Sequence, residues 1–401
     1  MEIDIGRGKK GRRAYGFDDI AIVPSRRTRD PDDIDISWAL GPYRFELPLV
    51  ASAMDGVVSP ATATLVNELG GLGVLNLEGI WTRFEDAEEQ LEKIAAAPTQ
   101  LATRIMQEIY AEPVKPELIG RRIAEIKERG AVACGSLTPQ KVREHYEIAV
   151  EAGIDILVIQ GTVISAEHVS TTVEPLNLKE FIAEVPVPTV VGGCASYATG
   201  LHLMRTGAVG VLVGVGPGAA CTTRGVLGIG VPQATAIADV AAARAQHMLE
   251  TGEYVNVIAD GGMRTGGDVS KAIACGADAV MVGSPLARAK EAPGRGFHWG
   301  MATFHPSLPR GTRVSTRQDG TMEEILLGPA QENDGTFNLM GALRTSMATC
   351  GYEDIRSFQR AEVMVAPALM SEGKQLQKEQ AVGMGSNGRA AVATGVAVSD
   401  D

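Results

Sequence analysis

The sequence predicts a TIM (β/α)8 barrel, an α/β fold of eight parallel strands. Three observations carry that prediction. Short apolar runs alternate with amphipathic helical stretches at intervals of a few tens of residues, which is the rhythm of parallel α/β architecture. Eight such runs stand out, the number a closed barrel requires. In that register the loops rich in glycine and polar residues fall at the carboxyl ends of the runs, where a barrel places its catalytic loops.

The strands are expected at 47–51, 73–76, 131–134, 154–159, 189–192, 209–213, 256–259 and 279–282. Helices are expected between them at 60–68, 116–129, 139–151 and 196–206, with apolar residues at helical spacing; three of the four begin at a proline, which suits a first turn. A shorter helix is expected at 268–275, capped by Asp268 and stopped by Gly276. Residues 295–341 show little periodicity and read as a long mobile excursion. The tail at 381–401 has few large apolar residues and reads as disordered, leaving 1–380 as a single catalytic unit.

At 401 residues, 45% hydrophobic and 21% charged, the chain is long enough and apolar enough to bury a full core as a soluble globular protein. The formal charge of -12 and the lack of a basic face exclude a nonspecific nucleic-acid binder. Arg26, Arg27 and Arg29 are followed by Asp30, Asp32, Asp33 and Asp35, so that cluster reads as a solvated surface or subunit contact. No window reaches the ~18 continuous apolar residues of a membrane helix. The basic start has no apolar core behind it, so a cytoplasmic location is expected. Five widely spaced cysteines without a Cys-x-x-Cys pair fit reduced thiols and disfavour structural zinc.

The most informative stretch follows the apolar run ending at Val213. Gly214-Val215-Gly216-Pro217-Gly218 can neither extend a strand nor begin a helix, so the chain leaves the strand end as a tight loop of bare backbone. The loop delivers Cys221, followed by Thr222, Thr223 and Arg224: a thiol, two proton-carrying hydroxyls and a positive charge that favours the thiolate. A free cysteine packed as a small hydrophobe is the plain alternative; the loop context argues for a covalent nucleophile. At the next strand end, Asp260-Gly261-Gly262 offers a carboxylate to vicinal hydroxyls and bare N–H groups to a phosphate, although Asp-Gly-Gly is also a common turn. Gly283-Ser284 ends the last strand and brings a second loop of donors.

These stretches resemble the IMP dehydrogenase and GMP reductase family, whose glycine-rich catalytic loop ends in a cysteine followed two residues later by threonine. The resemblance extends over Tyr15-Gly16-Phe17-Asp18-Asp19-Ile20, residues 47–55, Gly70-Gly71-Leu72-Gly73, residues 230–237 and residues 258–284, in family order, and is similar to the short branch that lacks a CBS module. Residues 81–122 are too few for such a module. The resemblance implies Cys221 as nucleophile with Thr223 and an arginine activating water. It implies Ser52, Gly262, Gly283 and Ser284 on a 5′-phosphate, Asp260 on the ribose, and Met54 against the purine. Gly300 and Met301 would bind the base edge; His298 and Trp299 before them read as lid packing. Gln318 would touch the base as in dehydrogenases, with Asp319 the alternative after a slip of one residue. NAD contacts would come from Gln160, Thr162, Gly214 and Gly216, and a potassium ion from carbonyls of Gly216, Gly218 and Cys221, a loop stable without an ion being an equal alternative. A homotetramer is implied as well.

The departures are specific. The family's nicotinamide-ribose aspartate is Gln160 here, which leaves NAD against NADP open, and a phosphate-contacting serine is Ala219. The Arg-Tyr pair of the dehydrogenase flap is replaced by Arg310-Gly311-Thr312-Arg313 with no tyrosine, so Arg310 is the expected residue and Arg313 its alternative. The reaction implied is oxidation of IMP to XMP through a thioimidate on Cys221. The rivals are NADPH-dependent deamination of GMP and a noncatalytic purine-nucleotide sensor.

Overall fold

Eight parallel strands close on themselves in sequence order: β1 (Leu49–Ala51), β2 (Leu72–Asn76), β3 (Cys134–Leu137), β4 (Ile156–Gln160), β5 (Thr189–Cys194), β6 (Gly210–Val213), β7 (Asn256–Asp260) and β8 (Ala279–Val282), with β8 pairing back onto β1. The structure is a computed structural model that describes residues 2–165, 168–169, 171, 175–366 and 372–384. The predicted tail at 381–401 therefore lies, from residue 385 onward, outside the described residues.

Each of the eight predicted strands is present, and one is displaced. The third was expected over 131–134 but pairs from Cys134 to Leu137, in register with Val74 and Ile156 at its start. The Ala133 N–H is taken by the Asp155 carboxylate at 2.8 Å instead of by a neighbouring strand. The true strand begins Cys-Gly-Ser because a side chain at Gly135 would lie 2.6 Å from Leu77 Cδ1. The small residues that fit this crowded place carry no apolar signal.

The barrel interior is filled by alternate strand residues, among them Val50, Val74, Ile156, Val158, Leu212 and Met281. Its amino-terminal end is closed by a hairpin of Trp38–Leu40 and Tyr43–Phe45, which adds Trp38, Leu40 and Phe45 to that cluster. Trp38 Nε1 donates to the Leu47 carbonyl at 2.8 Å, so its one polar atom is satisfied where the ring is buried. The packed lower end leaves only the carboxyl-terminal end free to hold a ligand.

Outside the strands lie α1 (Pro60–Glu68), α2 (Ala87–Ala96), α3 (Thr99–Tyr110), α4 (Pro116–Lys127), α5 (Val142–Glu151), α6 (Leu178–Glu184), α7 (Tyr197–Met204), α8 (Thr223–Leu227), α9 (Gln233–Thr251) and α10 (Gly266–Ala274). The predicted 139–151 and 196–206 helices are α5, which starts three residues later, and α7, trimmed at both ends. Sequence patterning does not reveal α9, because its run of alanines leaves a weak apolar stripe. Asp268 does not cap α10 from outside. Thr265 is the N-cap, accepting from the Asp268 N–H at 3.3 Å, while the Asp268 carboxylate accepts the N–H groups of Arg264 and Thr265 at 3.0 and 3.2 Å.

The excursion at 295–341 is built, not structureless. Phe297–His298 pairs with Val314–Ser315, helix α11 (Met322–Leu326) follows, and α12 (Leu339–Thr349) begins near its end. Trp299, Met322, Ile325, Leu326 and Phe337 are buried. Its order comes from contacts with distant elements, which leave no periodic trace in the local sequence.

Candidate active site

The carboxyl ends of β1, β4, β6, β7 and β8, together with residues 298–311, enclose a cavity of ≈510 Å³. That is the size range of a nucleotide-sized or drug-sized ligand site. Of the predicted site residues, Ser52, Met54, Gln160, Thr162, Gly214, Gly216, Gly218, Cys221, Asp260, Gly262, Gly283, Ser284, Gly300, Met301 and Arg310 line it, and Gln318 and the fully buried Thr223 do not.

Cys221 is half-buried and reaches the cavity wall. Its backbone N–H donates to the Gly218 carbonyl at 3.0 Å, closing the loop behind it. The thiol donates to Thr223 Oγ1 at 3.1 Å, and Thr223 is itself fully buried as the first residue of α8. Proton transfer between sulfur and a fixed hydroxyl is therefore geometrically available. The other cysteines differ. Burial pushes the Cys275 thiol up to about 11 and Cys194 to about 12, and it raises Cys134 further, so these remain protonated.

The segment after β8 lies directly on this loop. Cys221 forms an antiparallel bridge with Gly311, Thr222 N donates to Arg310 O at 3.0 Å, and Thr312 N donates to Ala220 O at 2.9 Å. Arg310 thus sits beside the thiol, and its buried Nε has no hydrogen-bond partner among the described residues. Arg313 does not share that place. Its guanidinium bonds the Ile94 and Ala97 carbonyls, and of the two arginines it is Arg310 that lines the cavity.

Asp260 ends β7 at the cavity floor. Burial raises its pKa to about 7, while the Gln160 amide, donating to Oδ2 at 3.2 Å, pulls in the opposite direction. Gly261 and Gly262 follow with φ of +78° and +84°, backbone that L side chains rarely adopt; the Gly261 N–H still donates to Met281 O of β8 at 3.1 Å, and the chain leaves the ladder after it. Gln233 ties neighbouring loops together, its amide donating to Val213 O at 2.7 Å and to Asp260 O at 3.1 Å.

Gln318 is exposed and outside the cavity; its amide donates to Ala289 O at 3.2 Å. Asp319 is no substitute, since Arg288 holds its carboxylate in a two-pronged pair at 2.8 and 3.1 Å. The predicted base contact at 318 is therefore corrected: strand-like pairing and the Arg288 pair fix this stretch against the wall of the barrel.

Sequence reasoning missed His298, Gln233 and Arg264. His298 is fully buried in the cavity wall, not lid packing, with Nε2 2.7 Å from Ser284 Oγ. Desolvation lowers its pKa to about 4, so it is a neutral imidazole at neutral pH. Arg264 lines the cavity two residues after the glycine pair, a cation beside a phosphate-type loop, and the string Gly-Gly-Met-Arg is the signal that could have found it. The charged lining amounts to Asp18, Asp260 and Asp268 against Arg224, Arg264 and Arg310. Among the described residues no group of His, Cys, Asp or Glu could hold a metal ion, and no helix is long and apolar enough to cross a membrane.

The arrangement is shared with known proteins. Residues 14–375 match the model of the IMP dehydrogenase / GMP reductase domain. An uncharacterized oxidoreductase of Mycolicibacterium smegmatis is 48% identical over 372 residues, covering 90% of this chain and 99% of the relative. The inosine-5′-monophosphate dehydrogenase of Cryptosporidium parvum is 30% identical over 380 residues, covering 84% and 88%. The crystal structure of an IMP dehydrogenase/GMP reductase-like protein from Corynebacterium glutamicum superimposes with a TM-score of 0.87 at 46% identity, covering 91% of this chain and 97% of that one. With a thiol, a hydroxyl and a glycine-lined cradle meeting at one barrel mouth and the match running through nearly the whole chain, this protein belongs to the IMP dehydrogenase/GMP reductase family of oxidoreductases.

Proposed function

We propose that the protein oxidises IMP to XMP with NAD. The observation that carries this reading is the Cys221 thiol at the cavity wall, 3.1 Å from the buried Thr223 hydroxyl, on a backbone that bridges to Gly311 next to Arg310. In this reading Ser52, Gly262, Gly283 and Ser284 receive the 5′-phosphate. Asp260 accepts the ribose hydroxyls, Met54 packs on the purine, and main-chain groups of Gly300 and Met301 meet the base edge. Cys221, as thiolate, forms an S–C2 bond to the hypoxanthine ring, and the ring becomes a hydride donor. NAD supplies the acceptor for that hydride. Thr223 and Arg310 then orient and deprotonate the water that adds to C2, and S–C2 cleavage releases XMP and restores the thiol. In this reading Gln160, Thr162, Gly214 and Gly216, which line the same cavity, meet the dinucleotide. Gln160, already donating to Asp260, keeps its carbonyl oxygen for a ribose hydroxyl.

Potassium has weaker support. The Gly218 carbonyl already accepts the Cys221 N–H and the Val215 carbonyl accepts Arg224 Nε at 3.3 Å, so a guanidinium does part of the work of tying this loop, and no step above uses an ion.

With Gln318 and Asp319 out of reach, the choice of direction rests elsewhere. Among the described residues no glutamate lines the cavity to handle an exocyclic amine, and relatives from Methanocaldococcus jannaschii and Cryptosporidium parvum carry the name inosine-5′-monophosphate dehydrogenase. Both favour dehydrogenase over GMP reductase. A cytoplasmic homotetramer belongs to the same reading; exposed Val226, Leu227 and Ile229 beside the catalytic loop support a subunit contact there.

Following nicotinamide absorbance with IMP plus NAD, and separately with GMP plus NADPH, tests the proposal. Only the first pair is expected to react. Consumption of NADPH with GMP alone would reverse the assignment, and binding without turnover of either would make the protein a sensor.

A further inference from the structure

Helix α4 packs between α1 and α5 and completes the crossover from β2 to β3, so α2 and α3 are additional to the barrel. They meet the cavity-lining segment at both of its ends. At the far end, Arg313 Nη2 donates to the carbonyl of Ala97, the residue that ends α2, at 2.9 Å, and Nη1 donates to Ile94 O, which also accepts the Ala97 N–H at 3.3 Å; the helix dipole favours a cation at this end. The same guanidinium lies 4.2 Å over the Phe297 ring. Arg295 adds pairs to Glu88 and Glu92, one turn apart on α2, at 3.4 and 3.5 Å.

At the near end the contacts come from α3. Trp299 Nε1 donates to Tyr110 Oη at 2.8 Å, and that hydroxyl donates to the buried Asp55 carboxylate at 2.5 Å. Asp55 follows Met54 in the chain and also accepts from Asn76 Nδ2 at 3.3 Å, so this chain of bonds starts at the ends of β1 and β2. The Tyr110 ring stacks on Phe304 with centroids 3.5 Å apart, and Gln107 Nε2 donates to His305 O at 3.2 Å. Trp299 immediately precedes Gly300 and Met301. Arg313 lies three residues after Arg310.

We propose that the α2–α3 pair is a clamp that sets Gly300, Met301 and Arg310 over the cavity, with Tyr110 and Arg313 as its positioning residues. Neither touches the cavity; each holds one end of a segment that does. A solvent-facing segment without such anchors would have to be ordered by the ligand at each binding event, which lowers affinity and turnover.

Hydrogen exchange on Tyr110→Phe, Arg313→Ala and Arg313→Lys tests the clamp without substrate. Tyr110→Phe keeps the stacked ring and deletes only the hydroxyl. Exchange in peptides spanning 297–313 is expected to rise about tenfold in Tyr110→Phe and Arg313→Ala, the scale of one lost buried hydrogen bond, with β7 and β8 unchanged and Arg313→Lys between. Unaltered exchange at 297–313, or an equal rise throughout the barrel, would overturn the proposal. A second arm rests on the proposed dehydrogenase reaction: Tyr110→Phe raises KM for IMP more than it lowers kcat, and Arg313→Ala lowers kcat more. If the wild-type protein turns over neither substrate pair, that reaction fails while the exchange arm still decides the clamp.

Discussion

At the scale of single residues, the proposed reaction gives Cys221 the covalent step and Asp260 the ribose. Replacing Cys221 by Ala is expected to lower turnover by roughly 10³-fold or more, since the covalent route is lost, while nucleotide affinity changes little. Mass spectrometry of protein quenched during turnover should find a purine adduct on the wild-type peptide containing Cys221 and none on the variant. Asp260 gives a pH signature. Its folded pKa of about 7 lies above the ordinary carboxylate range because burial disfavours the charge. The stability it contributes is therefore complete below about pH 4 and is lost as pH rises through about 7. The melting-temperature advantage of Asp260→Asn over wild type should grow from pH 4 to pH 7 and then level off. In the proposed reading ribose hydroxyls donate to the ionised form, so nucleotide affinity of the wild type should increase over pH 6 to 8 in calorimetry, and that increase should vanish in Asp260→Asn.

At the scale of elements, the two ends of the barrel have separate duties. The amino-terminal hairpin plugs the interior with Trp38, Leu40 and Phe45, far from the chemistry. Leu40→Ala is expected to cost about 2–5 kcal/mol of stability, measured by denaturant titration, with KM and kcat unchanged in the folded fraction. The carboxyl-terminal end has the opposite character: tight, glycine-rich loops around a cavity. The eight strands and five of the ten helices α1–α10 are legible in the sequence, because buried strands are apolar runs and helix faces repeat every 3.6 residues. Strand β3 was misplaced, since crowding by Leu77 selects Gly135 and leaves no apolar run. Asp268 was read as the cap when Thr265 is, because in a capping box either residue gives a cap-like signal.

At the scale of the whole molecule, the cavity is assembled from residues as distant in the chain as Asp18 and Gly311. The order of strands around the barrel, and the placing of Ser52, Asp260, Gly283 and Cys221 at one mouth, followed from the sequence alone. Strand ends and glycine loops are local features, and a closed parallel barrel sends every strand's carboxyl end the same way. The tertiary structure alone decided what the segment after β8 does. It withdrew Gln318 and Asp319 to the barrel wall, assigned Arg313 to the end of α2, left Arg310 beside the thiol, and buried His298 against Ser284. Those outcomes depend on contacts between residues up to about two hundred positions apart, whose energies exceed any local preference of a stretch rich in glycine, proline and polar residues.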